Sequence, residues 1–138
     1  MMNYNNYDYI DDEEFLEIEK RLVPIERMMI HRLVLSGWKL TRPVKDNDAL
    51  IVDFSLDDEL FMGNIGLVCI EATDGVSFSL YVTKSYDELN NKYFVKHFIS
   101  ENESLSFYEQ NIDLIVDKAI QLYESWDTRY IFDNNISY

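Results

Sequence analysis

Cysteine, glycine and proline are all scarce in this sequence of 138 residues. The one cysteine, Cys69, has no partner for an internal disulfide, and no spacing of Cys and His is typical of a zinc site. With only four glycines, the chain contains neither a phosphate-binding loop nor a dinucleotide-binding fingerprint. We therefore expect a protein of a reducing compartment, with no cofactor and no bound metal.

Long apolar runs are also missing. No run approaches the roughly 20 apolar residues that cross a bilayer, and the net charge of −14 is repelled by anionic lipid surfaces. The N-terminus is rich in Asn, Tyr and Asp, whereas a signal peptide has a basic start and an apolar middle. These features predict a cytoplasmic protein that does not bind membranes.

Basic residues are few, and their positions are uneven. Residues 1–19 hold seven acidic residues and no basic one, and residues 20–45 hold seven basic residues and one acidic one. Residues 46–138 hold eighteen acidic and five basic residues. Because 47% of the residues are hydrophobic and 14% are aromatic, the chain has enough apolar material for a folded core despite its charge.

Two interpretations of this charge layout stay open. In the first, basic residues pair with nearby acidic ones, for example Glu17 with Arg21 at helical i,i+4 spacing, and the excess of acid keeps the protein soluble. In the second, acidic surfaces attract proteins whose basic grooves normally hold nucleic acid. Direct binding of nucleic acid would have to use residues 20–45, and the overall negative charge opposes it.

Apolar residues recur at helical spacing from residue 11 to residue 36, which predicts an N-terminal helix or a helix pair. Pro24 predicts a kink or a fresh helix start, because proline removes a backbone donor and crowds the preceding turn. Gly37 is expected to end the helix. A second helix is predicted from a capping box, Ser106 with Glu109, to about Trp126.

Between the two helices the pattern predicts a sheet. Expected strands cover residues 38–42, 49–54, 61–71 and 76–83, and residues 92–99 form either a fifth strand or a helix, with a strand favoured. Residues 86–91 are expected to be a polar connection. In the fourth strand, apolar positions from Val76 to Val82 should face the core, with Ser77, Ser79, Tyr81 and Thr83 outward.

This order of elements predicts an α+β fold. We expect an N-terminal helix kinked at Pro24, an antiparallel sheet of four or five strands and a long C-terminal helix, arranged as a two-layer sandwich. Residues 1–138 should form a single domain, in which residues 1–10 and 127–138 are loosely packed tails. Neither the strand order nor the oligomeric state, monomer or homodimer, follows from the sequence.

Catalytic residues are not apparent. His31 and His97 lie in different predicted elements, and Cys69 lies in an apolar strand where its thiol should be buried and inert. The best enzymatic candidate is metal-assisted hydrolysis by Asp53 and Glu71, which resembles the core of restriction-type nucleases. That family has a lysine two residues after its second acid, however, where this chain has a threonine. We expect no enzymatic activity.

Two clusters of carboxylates are the strongest candidates for a binding site. If a helix begins near residue 11, the first cluster forms a ladder of negative charge with a spacing of about 5.4 Å per turn, which is comparable to that of phosphates along a nucleic-acid strand. The second lies in a predicted loop between strands. The predicted partner-binding residues are Asp11, Asp12, Glu13, Glu14, Glu17, Asp57, Asp58 and Glu59.

In its size, its charge and these two clusters, the chain resembles phage anti-defence inhibitors, which include anti-CRISPR and anti-restriction DNA mimics. The resemblance implies a non-enzymatic inhibitor that occludes a basic, nucleic-acid-binding surface of a partner protein. Its partner would be a nucleic-acid-processing enzyme or a nuclease toxin. The same profile is similar to toxin-immunity proteins and to type III secretion chaperones, which are alternative interpretations.

Overall fold

The fold is α+β: two long helices pack beside an antiparallel sheet. A computed structural model describes residues 12–42, 51–57, 61–72, 75–88, 91–126 and 136–137. The elements are α1 (Asp12–Leu35), β1 (Lys39–Arg42), β2 (Ile51–Asp57), β3 (Phe61–Ala72), β4 (Gly75–Glu88), β5 (Asn91–Glu103), α2 (Leu105–Ser125) and β6 (Ile136–Ser137).

The sheet is a meander in which each strand pairs with the next one along the chain, in the order β1-β2-β3-β4-β5-β6. Every pairing is antiparallel. Five strands were expected as the upper limit, and residues 92–99 do form a strand. The sixth has two residues, which pair with Tyr93 and Phe94, so this part of the predicted C-terminal tail is attached to the sheet.

The first helix is continuous through Pro24, so it is one helix and not two. Its buried positions repeat at intervals of three and four residues, which is the spacing that keeps side chains on one helical face. Gly37 ends the helix as predicted: its φ is +90°, and its amide donates to the carbonyl of Val34 while the amide of Trp38 donates to that of Leu33. The buried residues of α1 are Ile18, Leu22, Ile25, Met29 and Leu33.

The second helix begins earlier than its predicted capping box. Its N-cap is Ser104, whose backbone is extended and whose hydroxyl accepts from the amide of Phe107 at 3.2 Å. The predicted cap, Ser106, already lies inside the first helical turn. The helix ends at Ser125, with Trp126 as its C-cap, close to the predicted end.

The strand β4 is longer than predicted. It continues to Glu88 and pairs with β5 through Tyr86, so the polar connection expected at residues 86–91 is wrong. Its apolar positions Phe78, Leu80 and Val82 are buried as predicted. Two positions expected to face outward are also buried: Ser79 is 1% exposed and Thr83 8%.

Hydrogen bonds explain these two buried polar residues. The hydroxyl of Ser79 accepts from the amide of Asn102 at 3.0 Å, and the hydroxyl of Thr83 accepts from the amide of Asn64 at 3.1 Å. Small side chains with a satisfied hydroxyl can be enclosed between neighbouring strands without the penalty of an unpaired polar group. Alternation alone does not show this, because it gives the face of a residue and not its exposure.

The core lies between the helices and one face of the sheet. Alternate positions of β2, β3 and β4 that share this face are buried with the inner faces of both helices. Ring contacts join the layers: Phe78 of β4 packs edge-on against Tyr108 of α2, with centroids 6.5 Å apart. Trp38 packs similarly against Tyr123 at 5.0 Å.

Candidate functional site

The acidic ladder of α1 is the first of the two predicted clusters. Glu13 and Glu17 are both exposed, and four residues of helix separate them by about 6 Å along the helix axis. Asp12 and Glu14 belong to the same helix by their backbone, but their side chains, like residue 11, lie outside what the structure describes. The described pair therefore presents two carboxylates on one side of α1.

The two helices run side by side in the same direction. Arg21 of α1 contacts Ser106 and Glu109 near the start of α2, and Arg32, eleven residues later, contacts Asp117. Because Arg21 is level with the first turns of α2, Glu17 and Glu13 lie about 6 and 12 Å beyond that level. Glu13 therefore lies past the first residue of α2, and Glu17 lies about level with that residue.

Asp57, the described residue of the second acidic cluster, lies at the other end of α1. Asp57 is exposed at the end of β2, and Asp58 and Glu59 lie outside the described residues. The neighbour of Asp57, Leu56, reaches the turn after α1: a Cβ placed on Gly37 would be 3.6 Å from its Cδ1 atom. Since α1 separates this turn from Glu13 by roughly 30 Å, Asp57 and Glu13 do not share one surface.

Two basic residues that follow the ladder, Arg21 and Arg32, make ion pairs with α2. The guanidinium of Arg21 donates to both carboxylate oxygens of Glu109, at 2.9 and 2.6 Å, and to the hydroxyl of Ser106 at 3.0 Å. Arg32 forms an ion pair with Asp117. The predicted pairing of Arg21 with Glu17 is therefore replaced by a bidentate contact across the helix interface.

This contact changes the acidity of both partners. The hydrogen bonds from Arg21 hold the pKa of Glu109 below its ordinary value of 4.5, and partial burial opposes this shift. The same hydrogen bonds raise the pKa of Arg21, to which the charges of Glu109 and Glu17 also contribute. Two arginines of the basic block are thus directed at α2, and neither has its hydrogen bonds with the ladder.

The fold places the two acidic residues of the possible metal site far apart along the sheet. Asp53 pairs with Gly66 in the β2–β3 register, and position 71 is five residues further along β3, roughly 17 Å away. Asp53 is half-buried. Its Oδ1 atom is 3.4 Å from the side-chain amide nitrogen Nδ2 of Asn64 and 3.4 Å from the hydroxyl of Tyr81. Within the described residues, no group of three His, Cys, Asp or Glu side chains could hold a metal ion.

The positions of the cysteine and the two histidines bear on nucleophilic catalysis. Burial of Cys69 is consistent with the prediction of an inert thiol, and the two histidines lie on different elements. Cys69 is buried on the core face of β3. His31 is exposed on α1, and His97 is exposed on β5. A cysteine enclosed by apolar neighbours is a poor nucleophile, because burial disfavours the thiolate.

The sheet face opposite the helices carries a second group of polar and aromatic residues. The ring of Tyr81 lies over Gly66 and edge-on to Phe98, with centroids 6.4 Å apart. The exposed Lys96 places its ammonium 4.7 Å from the Tyr81 ring and 5.0 Å from the Phe98 ring. The alternation of β4 indicates the outward position of Tyr81, but the pairing that brings β5 beside it is a tertiary feature.

No protein-family model matches this sequence, and neither the curated proteins nor the solved structures include a match. No helix in the described ranges has both the length and the apolar character that crossing a membrane requires.

Proposed function

We propose that this chain is a non-enzymatic, acidic protein-binding inhibitor that occludes a basic, nucleic-acid-binding surface of a partner protein. The mode is that of phage anti-CRISPR or anti-restriction proteins, by mimicry of nucleic acid. Its partner is a nucleic-acid-processing enzyme or a nuclease toxin in the cytoplasm. The chain itself binds neither nucleic acid nor membranes in this proposal.

One observation carries the proposal: Glu13 and Glu17 are both exposed, about one helical turn apart on the same side of α1. Such a pair can present its carboxylates to a basic groove of the partner. Arg21 and Arg32 support the same conclusion, because their ion pairs are made with α2 carboxylates. Two of the seven positive charges of residues 20–45 are therefore compensated within the helix layer.

The proposal uses a smaller binding surface than the eight residues that the sequence predicts. Asp57 lies at the opposite end of α1, so it does not extend the ladder. We assign the primary contact to the ladder end and treat Asp57, Asp58 and Glu59 as a separate candidate contact. A partner that engages both must span roughly 30 Å of α1.

Charge reversal with a matched control tests this proposal. The immobilised protein captures host-cell proteins, which are identified by mass spectrometry, in parallel with a Glu13→Lys, Glu17→Lys variant. The control is Asp113→Lys, Glu124→Lys, which makes the same change in net charge at exposed positions of α2. We expect a basic nucleic-acid enzyme that is retained by the wild type and the control, lost on the ladder variant and displaced by added DNA.

Other outcomes separate the alternatives. A partner lost equally on both variants responds to net charge alone, which contradicts a defined site at the ladder. A nuclease toxin that is retained but loses cleavage activity on binding indicates an immunity protein. A partner that is indifferent to both variants and to DNA indicates an apolar interface.

The chaperone alternative has some support of its own. Val34 and Leu35 are 51% and 78% exposed at the end of α1, and Leu114 of α2 is 56% exposed. A shallow groove of about 210 Å³ also lies between the helices, lined in part by Pro24 and Met28. Exposed apolar residues of this kind mark interaction sites when they are contiguous. These are spread along the helix layer, so we place this function second.

A further inference from the structure

Lys84 is a buried lysine on the core face of β4. It follows Phe78, Leu80 and Val82 at alternate positions, so its side chain is directed to the same side as theirs. Its exposed fraction is 7%, which is unusual for a residue type that is almost never fully buried unless it has partners.

The partners of Lys84 lie at the C-terminal end of α2. Its ammonium donates to the carbonyl of Trp126 at 2.6 Å and to that of Tyr123 at 3.1 Å. It also lies 4.4 Å from the centre of the Tyr123 ring and 4.6 Å from that of Phe61. Two carbonyl oxygens and the negative faces of two rings thus surround one positive charge.

In the described residues, the end of α2 has neither a left-handed glycine nor a basic residue of its own. The carbonyl of Leu122 accepts from the hydroxyl of Ser125 at 2.8 Å, and that of Tyr123 accepts from the amide of Trp126 at 3.3 Å. The final carbonyls of a helix have no partner within the helix, and a left-handed glycine or a nearby basic side chain commonly compensates. The C-cap Trp126 is extended, with φ −76° and ψ 117°, and the last turn of α2 contains no basic residue. Helix α1, by contrast, ends at Gly37 with a left-handed backbone.

We propose that Lys84 is a latch: its ammonium, supplied by the sheet, ends α2 and holds the last helical turn closed. The charge also complements the negative end of the helix dipole. The middle of α2 is held by several buried residues from Tyr108 to Ala119, whereas the last turn has one, Tyr123, beside the ammonium. Loss of the ammonium should therefore open the last turn, residues 122–125, while the middle of the helix stays protected.

A pair of matched variants tests the latch. Lys84→Met keeps an unbranched apolar stem and removes the ammonium, and Lys96→Met does the same at an exposed lysine that also lies over two aromatic rings. Hydrogen exchange is measured for the amides of α2 in both variants and in the wild type. We expect last-turn exchange roughly 10- to 100-fold faster in Lys84→Met and unchanged in Lys96→Met.

Two results would contradict the proposal that Lys84 holds the last turn closed. Last-turn exchange within twofold of the wild type means that packing alone closes the helix end. Exchange accelerated equally along all of α2 means that Lys84 supports global stability and not the last turn.

A measurement on the wild type keeps the test decisive if Lys84→Met does not fold. In ¹⁵N,¹³C-labelled protein, the ammonium protons of Lys84 should exchange slowly enough to give a resolved NMR signal, with couplings through the hydrogen bonds to the carbonyl carbons of Tyr123 and Trp126. The exposed Lys96 serves as the internal reference. Ammonium exchange at Lys84 as fast as at Lys96 would contradict the proposal.

Discussion

The ring of Tyr123 in α2 lies directly against the backbone of Gly63 in β3. A Cβ atom at position 63 would overlap the ring carbons of Tyr123, so only glycine fits beneath it. The same ring packs against Trp38 and lies under the ammonium of Lys84. Gly63 thus allows the end of α2 to approach the sheet.

The first prediction concerns this close approach. Gly63→Ala should lower the free energy of unfolding by about 1–3 kcal/mol, because the added methyl forces the Tyr123 ring out of its packed position. Chemical denaturation of the variant and the wild type measures the difference. Met62→Ala is the control, since Met62 is the neighbouring residue and is 53% exposed.

A double-mutant cycle identifies the cause. In a Tyr123→Ala background the ring is absent, so adding Gly63→Ala should have little further effect. If the cost of Gly63→Ala is the same in both backgrounds, the overlap with Tyr123 is not its source.

The second prediction is a pH dependence of the ion pair between the helices. The pKa of Glu109 is lowered in the folded state by Arg21, so its contribution to stability is present above pH 4.5 and is lost as the pH falls through the lowered pKa. Glu109→Gln should therefore be less stable than the wild type at neutral pH by no more than about 1 kcal/mol, because both side chains are over a third exposed.

Denaturation midpoints of both proteins across the acid range test this. The two curves should converge in acid, and Asp113→Asn, at an exposed position one turn beyond Glu109, should follow the wild type throughout. A gap between Glu109→Gln and the wild type that stays constant as the pH falls through the lowered pKa of Glu109 would show that the effect is not electrostatic.

The third prediction concerns the buried hydroxyl of Tyr108. It donates to the carbonyl of Phe78 at 3.0 Å and lies 2.7 Å from the hydroxyl of Ser100. Burial raises the pKa of Tyr108 to about 12, the charge of Glu103 adds to the increase, and the Ser100 hydrogen bond opposes it. Tyr108→Phe should lower stability by about 1–3 kcal/mol, since it leaves a buried carbonyl without its donor.

The raised pKa also sets the alkaline limit of this contribution. Because the folded state favours the neutral phenol, the stabilisation is complete below pH 10 and is lost as the pH rises from 10 towards 12. An ultraviolet difference titration of the wild type against Tyr108→Phe isolates this tyrosine from the other nine. Ionisation of the difference signal near pH 10 would contradict the burial of the hydroxyl.

Much of the fold follows from local patterns. The apolar spacing of α1 identifies its buried face, and Gly37 identifies its end, because both depend on backbone geometry within a few residues. The extra length of β4 does not follow, since Tyr86 is placed by its pairing with β5 and its ring contact with Phe61 at 5.1 Å. Polar strand ends resemble loops until their partner strand is known.

The candidate site was only partly accessible from the sequence. The exposure of Glu13 and Glu17 follows from the helical period, whereas their separation from Asp57 depends on where β2 ends relative to α1. Lys84 was missed, although the alternation of Phe78, Leu80 and Val82 continues to it. A lysine at the end of an apolar series is normally exposed, and only the position of the α2 terminus reveals its partners.

The large sequence separation of the neighbouring helices α1 and α2 affects how the protein folds during synthesis. Five strands lie between the helices, and each connection reverses the chain, so an odd number of strands returns α2 to the direction of α1. Arg21 and Glu109, which join the helices, are 88 residues apart. A ribosome adding about 5–20 residues per second makes the first turns of α2 roughly 4–18 s after those of α1. During that interval the apolar stripe of α1 lacks its neighbouring helix, and the nascent chain is exposed to association through it.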